Sequence, residues 1–159
     1  MHIYNTPEML GKDLPNAAIR IALGNFDGVH LGHQKLITTM VNTCVRGDES
    51  SVVVTFSPHP AQFFSRNKAF KKIDTPAIQV SVLKGLGVNA LLEIAFDERL
   101  VSMTGEEFVN SLLAPLPLRE IFVGEDFRFG RERSSGIETL KEQGRQRGFA
   151  VSVVPTLHE

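Results

Sequence analysis

The sequence predicts an α/β domain, a Rossmann-like parallel sheet with helices on both faces. Three observations carry that prediction. Strand-like and helix-like segments alternate along the chain. The strand-like segments are apolar runs without alternation, clearest in Ser51-Val52-Val53-Val54-Thr55-Phe56, as expected of strands covered on both faces. The stretches rich in glycine and histidine fall directly after strands, where open sheets of this kind bind ligands.

The elements follow in order. Residues 1–18 read as a polar lead-in with two prolines, Pro7 and Pro15. The first strand, Ile19-Arg20-Ile21-Ala22-Leu23, is stopped by Gly24. From about Leu31 to Val45 the apolar positions Leu36, Ile37, Met40 and Val41 fall at helical spacing, and Gly47-Asp48 breaks the pattern. Residues 51–56 form the second strand, ended by Pro58 and Pro60. Residues 57–75 have no clean period and carry Phe63, Phe64 and Phe70 among Arg66, Lys68, Lys71 and Lys72. They read as a long loop with room for one helical turn, and long loops inside compact domains are often functional. Residues 76–86 read as a helix, with Pro76 in its first turn and Gly85 and Gly87 at its end. Asn89-Ala90-Leu91-Leu92-Glu93-Ile94 is the third strand. Thr104-Gly105-Glu106-Glu107 resembles a capping box and starts a helix to about Leu113. Arg119-Glu120-Ile121-Phe122-Val123 is the fourth strand, stopped by Gly124. A charged amphipathic helix over 136–147 and a fifth strand from Phe149 to Val154 complete the series, with right-handed crossovers expected between parallel strands.

Composition narrows the function classes. The chain has 159 residues, the size of one domain, with 42% apolar and 22% charged residues, as in soluble globular proteins. A formal net charge of −1 gives no strong field favouring nucleic acid or an anionic membrane. One cysteine, Cys44, excludes an intramolecular disulfide framework and a cysteine-rich zinc site. No apolar run approaches the roughly 20 residues that span a bilayer. The N-terminus lacks the basic-then-apolar pattern of a secretory signal, so a cytoplasmic protein is expected.

Three loops carry the chemistry. The first, Gly24-Asn25-Phe26-Asp27-Gly28-Val29-His30-Leu31-Gly32-His33, has three glycines that permit tight turning and close ligand approach. His30 and His33 are three apart at the opening of a helix, which places both rings on one face. The helix N-terminus adds unpaired N–H groups and partial positive charge, making an anion cradle with two imidazole donors. The alternative is a glycine-rich turn with two incidental surface histidines. The chain contains no G-x-x-x-x-G-K-[ST] phosphate loop. The second loop is Ser57-Pro58-His59-Pro60, and the third is Gly124-Glu125-Asp126-Phe127-Arg128-Phe129-Gly130.

The first loop resembles the G-x-F-D-x-x-H-x-G-H signature of the nucleotidyltransferases. Phe56-Ser57-Pro58-His59-Pro60, Phe96-Asp97 and Val123-Gly124-Glu125-Asp126-Phe127-Arg128-Phe129-Gly130, followed by Arg131 and Gly136, narrow the match. Together they are similar to the bacterial FAD synthetases, the bifunctional riboflavin kinase/FMN adenylyltransferases. The resemblance runs from about residue 19 to the end and covers only the adenylyltransferase half. It implies a five-stranded parallel sheet in the order 3-2-1-4-5, which sets the fourth-strand loop beside the first. It also implies transfer of AMP from ATP to FMN, giving FAD and pyrophosphate. Mg2+ is then expected with ATP, held largely by phosphate and water rather than by a protein metal site.

By this resemblance His30 and His33 are the catalytic pair, and Gly24, Asn25, Phe26, Asp27, Gly28 and Gly32 form the ATP loop. Asp27 has a second reading, a turn-forming cap. The flavin side falls to Pro58, His59, Phe63, Asp126, Phe127, Arg128 and Phe129. Asp126 is suited to hydroxyls of ribose or to flavin, and Arg128 to phosphate. Phe127 and Phe129 fit a ring-stacking role and plain core alternation equally. The expected partners are small-molecule nucleotides, with neither nucleic acid nor membrane.

Four departures from the family pattern stand out. Ser57 replaces a usual Glu before Pro-His-Pro, and Ala77-Ile78-Gln79 stands where a Glu-Lys pair is common. The family's Ser/Thr…Arg segment after strand five, which grips the ATP phosphates, has no counterpart in Val154-Pro155-Thr156-Leu157-His158-Glu159, and Ser134-Ser135 is not that motif. The riboflavin kinase half is not among these residues. The expected organisation is a lead-in over 1–18 and an FMN adenylyltransferase domain over 19–159. Two other functions stay open: a flavin- or adenine-nucleotide-binding module of the same fold with weakened catalysis, and a nucleotidyltransferase acting on another phosphorylated acceptor.

Overall fold

The valine run of the second predicted strand shows why this sheet is covered twice. Val52, Val54 and Phe56 point into one apolar cluster and Val53 into another, on opposite faces of the strand. The computed structural model describes residues 1–14, 18–26, 31–45, 47–57, 76–131 and 134–155. Its strands are β1 (His2–Tyr4), β2 (Ala18–Leu23), β3 (Glu49–Ser57), β4 (Ala90–Ala95), β5 (Leu118–Gly124) and β6 (Ala150–Val154). They form one sheet in the order β1-β4-β3-β2-β5-β6, with every pair parallel. The five expected strands are β2 to β6, and they lie in the expected 3-2-1-4-5 order.

The sixth strand comes from the segment expected to be a polar lead-in. His2, Ile3 and Tyr4 pair with Ala90, Leu91 and Leu92 at the sheet edge. Helix α1 (Pro7–Asp13) follows. Thr6 caps it by accepting from the Met9 amide at 3.2 Å, and Pro7 stands in its first turn, where its missing N–H costs nothing. Leu10 carries the helix onto the core, and the Tyr4 hydroxyl donates to Asp13 Oδ2 at 2.6 Å.

The remaining helices are α2 (Leu31–Thr43), α3 (Pro76–Gly85), α4 (Glu98–Val101), α5 (Gly105–Phe108) and α6 (Ile137–Arg147). Asp97 caps α4, and Thr104 caps α5 through the Glu107 amide, as the capping-box pattern predicts. Beyond Phe108 the helix widens into a π-helical turn over Val109–Leu113. Helices α2 and α3 cover one face of the sheet, where Ile37, Met40 and Leu83 meet Ala22, Val53, Leu91 and Phe122. Helices α1, α4, α5 and α6 cover the other, where Leu10, Leu100, Phe108 and Leu140 meet Ile21, Val54, Leu92 and Ile121. Each fully buried Leu or Ile contributes about 1.5–3 kcal/mol, so both layers matter to stability.

The α2 face changes character along the strands. Its carboxyl-end half is apolar, while its amino-end half carries Arg20, Glu49, Glu120 and Ser152. All six strands point the same way, so the loops after β2 and β5 leave the sheet side by side. The chain turns toward β3 after β2 and returns across the sheet to β5. That reversal opens a crevice between the two loops.

Candidate active site

The crevice holds a cleft of about 320 Å³. Gly24, Asn25 and Phe26 wall it from the end of β2, and Gly32, His33 and Leu36 from the first turns of α2. Gly124, Asp126, Phe127 and Arg128 close it from the β5 side, with Val154 and Pro155 at its edge. Its volume is at the lower end of what small-molecule sites use.

Backbone geometry fixes the β2 loop. The Gly24 amide donates to the Val54 carbonyl at 3.2 Å, extending the ladder one residue past β2. The Phe26 ring then folds back over Gly24. A methyl group at Gly24 would lie 3.0 Å from the tip of that ring, so a side chain there would force the ring away. Phe26 itself is buried in the α2 layer, with its carbonyl accepting from Gln79 Nε2 at 3.1 Å. His33 is half-buried against the Phe26 ring, edge to face, with 5.2 Å between centroids. An apolar anchor thus aims a polar side chain at the cleft from the first turn of a 13-residue helix, the end of a helix that suits an anion.

The β5 loop is held differently. The Phe127 amide donates to the Gly124 carbonyl at 3.1 Å, closing a turn that leaves Asp126 and Arg128 exposed at the cleft. Phe127 stacks on Phe129, with centroids 5.6 Å apart and planes at 18°. Phe129 lies behind it in the core against Phe108, and does not line the cleft. The Phe129 and Ser135 backbones pair in an antiparallel bridge, with bonds of 2.9 and 3.0 Å.

Of the residues expected at the site, the structure brings together Gly24, Asn25, Phe26, Gly32, His33, Asp126, Phe127 and Arg128. Asp27, Gly28, His30, Pro58, His59 and Phe63 lie outside the described residues. The Phe96-Asp97 motif is structural: Asp97 caps α4, and Phe96 packs at 6.0 Å from Phe56. Sequence reasoning did not place Leu36 or Val154 at the cleft, nor Gln79 behind Phe26. Gln79 had a signal, a polar residue four positions before Leu83 on the buried stripe of its helix. Among the described residues, no three His, Cys, Asp or Glu side chains gather to hold a metal ion.

A model of the FAD synthetase family matches residues 13–159. The chain belongs to the FAD synthetase family. Among curated relatives of this FAD synthetase-family chain, it is 34% identical to a bifunctional riboflavin kinase/FMN adenylyltransferase of Buchnera aphidicola, over 89% of this chain and 46% of that protein. It is 36% identical to the Pseudomonas fluorescens protein of the same name, over 85% and 43%. It is 32% identical to a FAD synthetase of Listeria monocytogenes, over 93% and 60%. The chain thus spans about half the length of the curated relatives it matches. Among solved structures, one titled a macrolide-efflux protein from Streptococcus pneumoniae superposes with a TM-score of 0.80 at 28% identity, over all of this chain and half of that one. No helix among the described residues of this family member is long and apolar enough to cross a membrane.

Proposed function

We propose that this chain transfers the adenylyl group of ATP to the phosphate of FMN, giving FAD and pyrophosphate. One observation carries the reading: the cleft at the sheet's reversal point sits between the first turn of α2, with Gly32 and His33, and the Asp126–Arg128 turn, in a FAD synthetase-family chain. An FMN phosphate oxygen attacks the α-phosphorus. A new P–O bond forms there, and the bond to the bridging oxygen breaks, its electron pair leaving with pyrophosphate. The attacking phosphate has already lost its second proton near neutral pH, with a pKa of about 6, so the step needs no general base. The protein's task is to align the two phosphates and stabilise the charge that builds on them.

In this reading His33 and the amides of the first turn of α2 donate to the polyphosphate, together with His30. Gly24 to Phe26, with Asp27, Gly28 and Gly32, form the ATP loop. Asp126 takes hydroxyl hydrogen bonds, Arg128 pairs with phosphate, and Phe127 offers a flat face for a ring, backed by Phe129. Pro58, His59 and Phe63 belong to the flavin side. Magnesium would enter as MgATP, held largely by phosphate oxygens and water, and among the described residues Asp126 is the one carboxylate that lines the cleft. The partners are small nucleotides, with no nucleic acid or membrane, and the location is the cytoplasm.

The test is direct. Incubation with FMN, MgATP and pyrophosphatase should give FAD, separated by chromatography. A folded sample at high concentration that makes none overturns the proposal.

A further inference from the structure

Phe26 is the last described residue before the stretch that leads into α2, and its carbonyl is buried. Buried backbone acceptors need a partner. Gln79 supplies it from α3, donating through Nε2 at 3.1 Å, although the two residues lie 53 positions apart. Gln79 is only 6% exposed and shares the inward face of α3 with Leu83. An amide on such a face costs free energy unless it is bonded, so the position calls for a reason. The Phe26 carbonyl is that reason.

The consequence reaches the site. The Phe26 backbone is held by Gln79. Its ring is confined on one side by Gly24, where even a methyl would intrude, and on the other by the His33 imidazole. Moving the Phe26 carbonyl therefore moves the ring, and the ring sets where His33 sits. We propose that Gln79 is a positioning residue, which acts through Phe26 to hold His33 at the cleft. The inference deepens the adenylyl-transfer reading and rests on it for the role of His33.

Three proteins test it: wild type, Gln79→Leu and Gln79→Glu. Leucine removes the donor. Glutamate keeps the shape and donates only while its carboxyl is protonated. Losing one buried hydrogen bond to a site loop should lower kcat/KM for MgATP by about tenfold in Gln79→Leu. In Gln79→Glu the activity should approach wild type at low pH and fall to the leucine level as pH rises. Any pH dependence common to all three proteins cancels, so the ratio of the two variants isolates the new carboxyl. A packing role for Gln79 would give that ratio no pH dependence.

A second readout needs no turnover. The ring-carbon proton signals of His33, followed by NMR in ligand-free protein, should shift in Gln79→Leu and return in protonated Gln79→Glu. If wild type makes no FAD, the functional reading falls while this measurement still decides the positioning role. If Gln79→Leu does not fold, Gln79→Met takes its place. Wild-type kcat/KM and an unmoved His33 signal in the donor-less variant overturn the proposal, as does a glutamate variant that tracks leucine at every pH.

Discussion

The imidazole of His33 meets the ring of Phe26 edge to face, at 5.2 Å and with 87° between planes. One ring belongs to the core and the other lines the cleft. Such pairs contribute about 0.5–1.5 kcal/mol beyond burial, which suits them to holding an orientation more than to holding a fold together.

Replacing His33 by alanine separates the two roles. A donor lost from a charge-stabilising site costs about 10²–10³ in turnover, so FAD formation should fall by that order. The side chain is only half-buried, so Tm should move by no more than a few degrees. A steady-state assay and a thermal scan on one preparation check both. A large fall in Tm with proportionate loss of activity would assign His33 to packing.

Gly105 is buried where no side chain fits. A methyl group there would stand 2.1 Å from Ser135 Oγ and 2.7 Å from Ser135 Cβ. Gly130, at a φ of 79°, crosses the same spot, its own added methyl 3.0 Å from the Gly105 nitrogen. Gly105→Ala should destabilise the fold by about 1–3 kcal/mol through overpacking. Ser135→Gly removes both clashing atoms, so the double variant should be more stable than the sum of the singles predicts. Urea melts of the four proteins read the coupling directly. Additive effects would mean that the strain is relieved elsewhere.

Much of this was legible in the chain, for local reasons. Strands β2 to β6 are apolar runs, all but β4 closed by glycine or proline, and the first site loop is one continuous segment. Strand β1 is three residues long with two of them exposed, and it becomes a strand only by pairing with β4. Helix α1 did leave a signature in Thr6-Pro7-Glu8, which two prolines in a polar segment obscured. The π turn over Val109–Leu113, which buries Val109 and Leu113, has no sequence mark. Gln79 stood out only as a departure from the family pattern, since its partner Phe26 is distant in sequence. The same holds for Arg20, whose partners Glu49 and Glu120 lie 29 and 100 positions away.

That ion cluster should set the acid stability of the domain. Glu49, with a side chain only 4% exposed, accepts from Arg20 Nε at 3.1 Å and from the Val45 amide at 2.8 Å, and Arg119 lies at 3.5 Å. Those bonds, Arg20 first, hold its carboxyl below the ordinary 4.5. A depressed folded value means that Glu49 contributes fully above the unfolded pKa, and the contribution is lost as pH falls through the folded one. Stability should therefore decline below about pH 4.5, and Glu49→Gln should flatten that decline while lowering stability at pH 7. Arg20→Met leaves Glu49 with Arg119 and the Val45 amide and Glu120 with the Ser152 hydroxyl, and should cost about 3 kcal/mol at pH 7. Denaturant melts from pH 3 to 7 test both. An unchanged acid limb in Glu49→Gln would place the titration on another carboxylate.

The thiol of Cys44 lies at the end of α2, above the same cluster. Burial comes first and the Glu49 charge second in pushing its pKa up to about 11, against a smaller opposing effect of Arg20. Only the thiolate attacks alkylating reagents. At pH 8 the native protein should therefore react with iodoacetamide far more slowly than its denatured form. The native rate should rise about tenfold per pH unit for as long as the fold persists. Glu49→Gln should speed the native reaction, because it removes a negative charge that opposes ionisation. Mass spectrometry of timed samples gives the rates, with circular dichroism confirming that the fold is intact. A native thiol that reacts at the denatured rate at pH 8 would mean that Cys44 is neither shielded by the α2 layer nor coupled to Glu49.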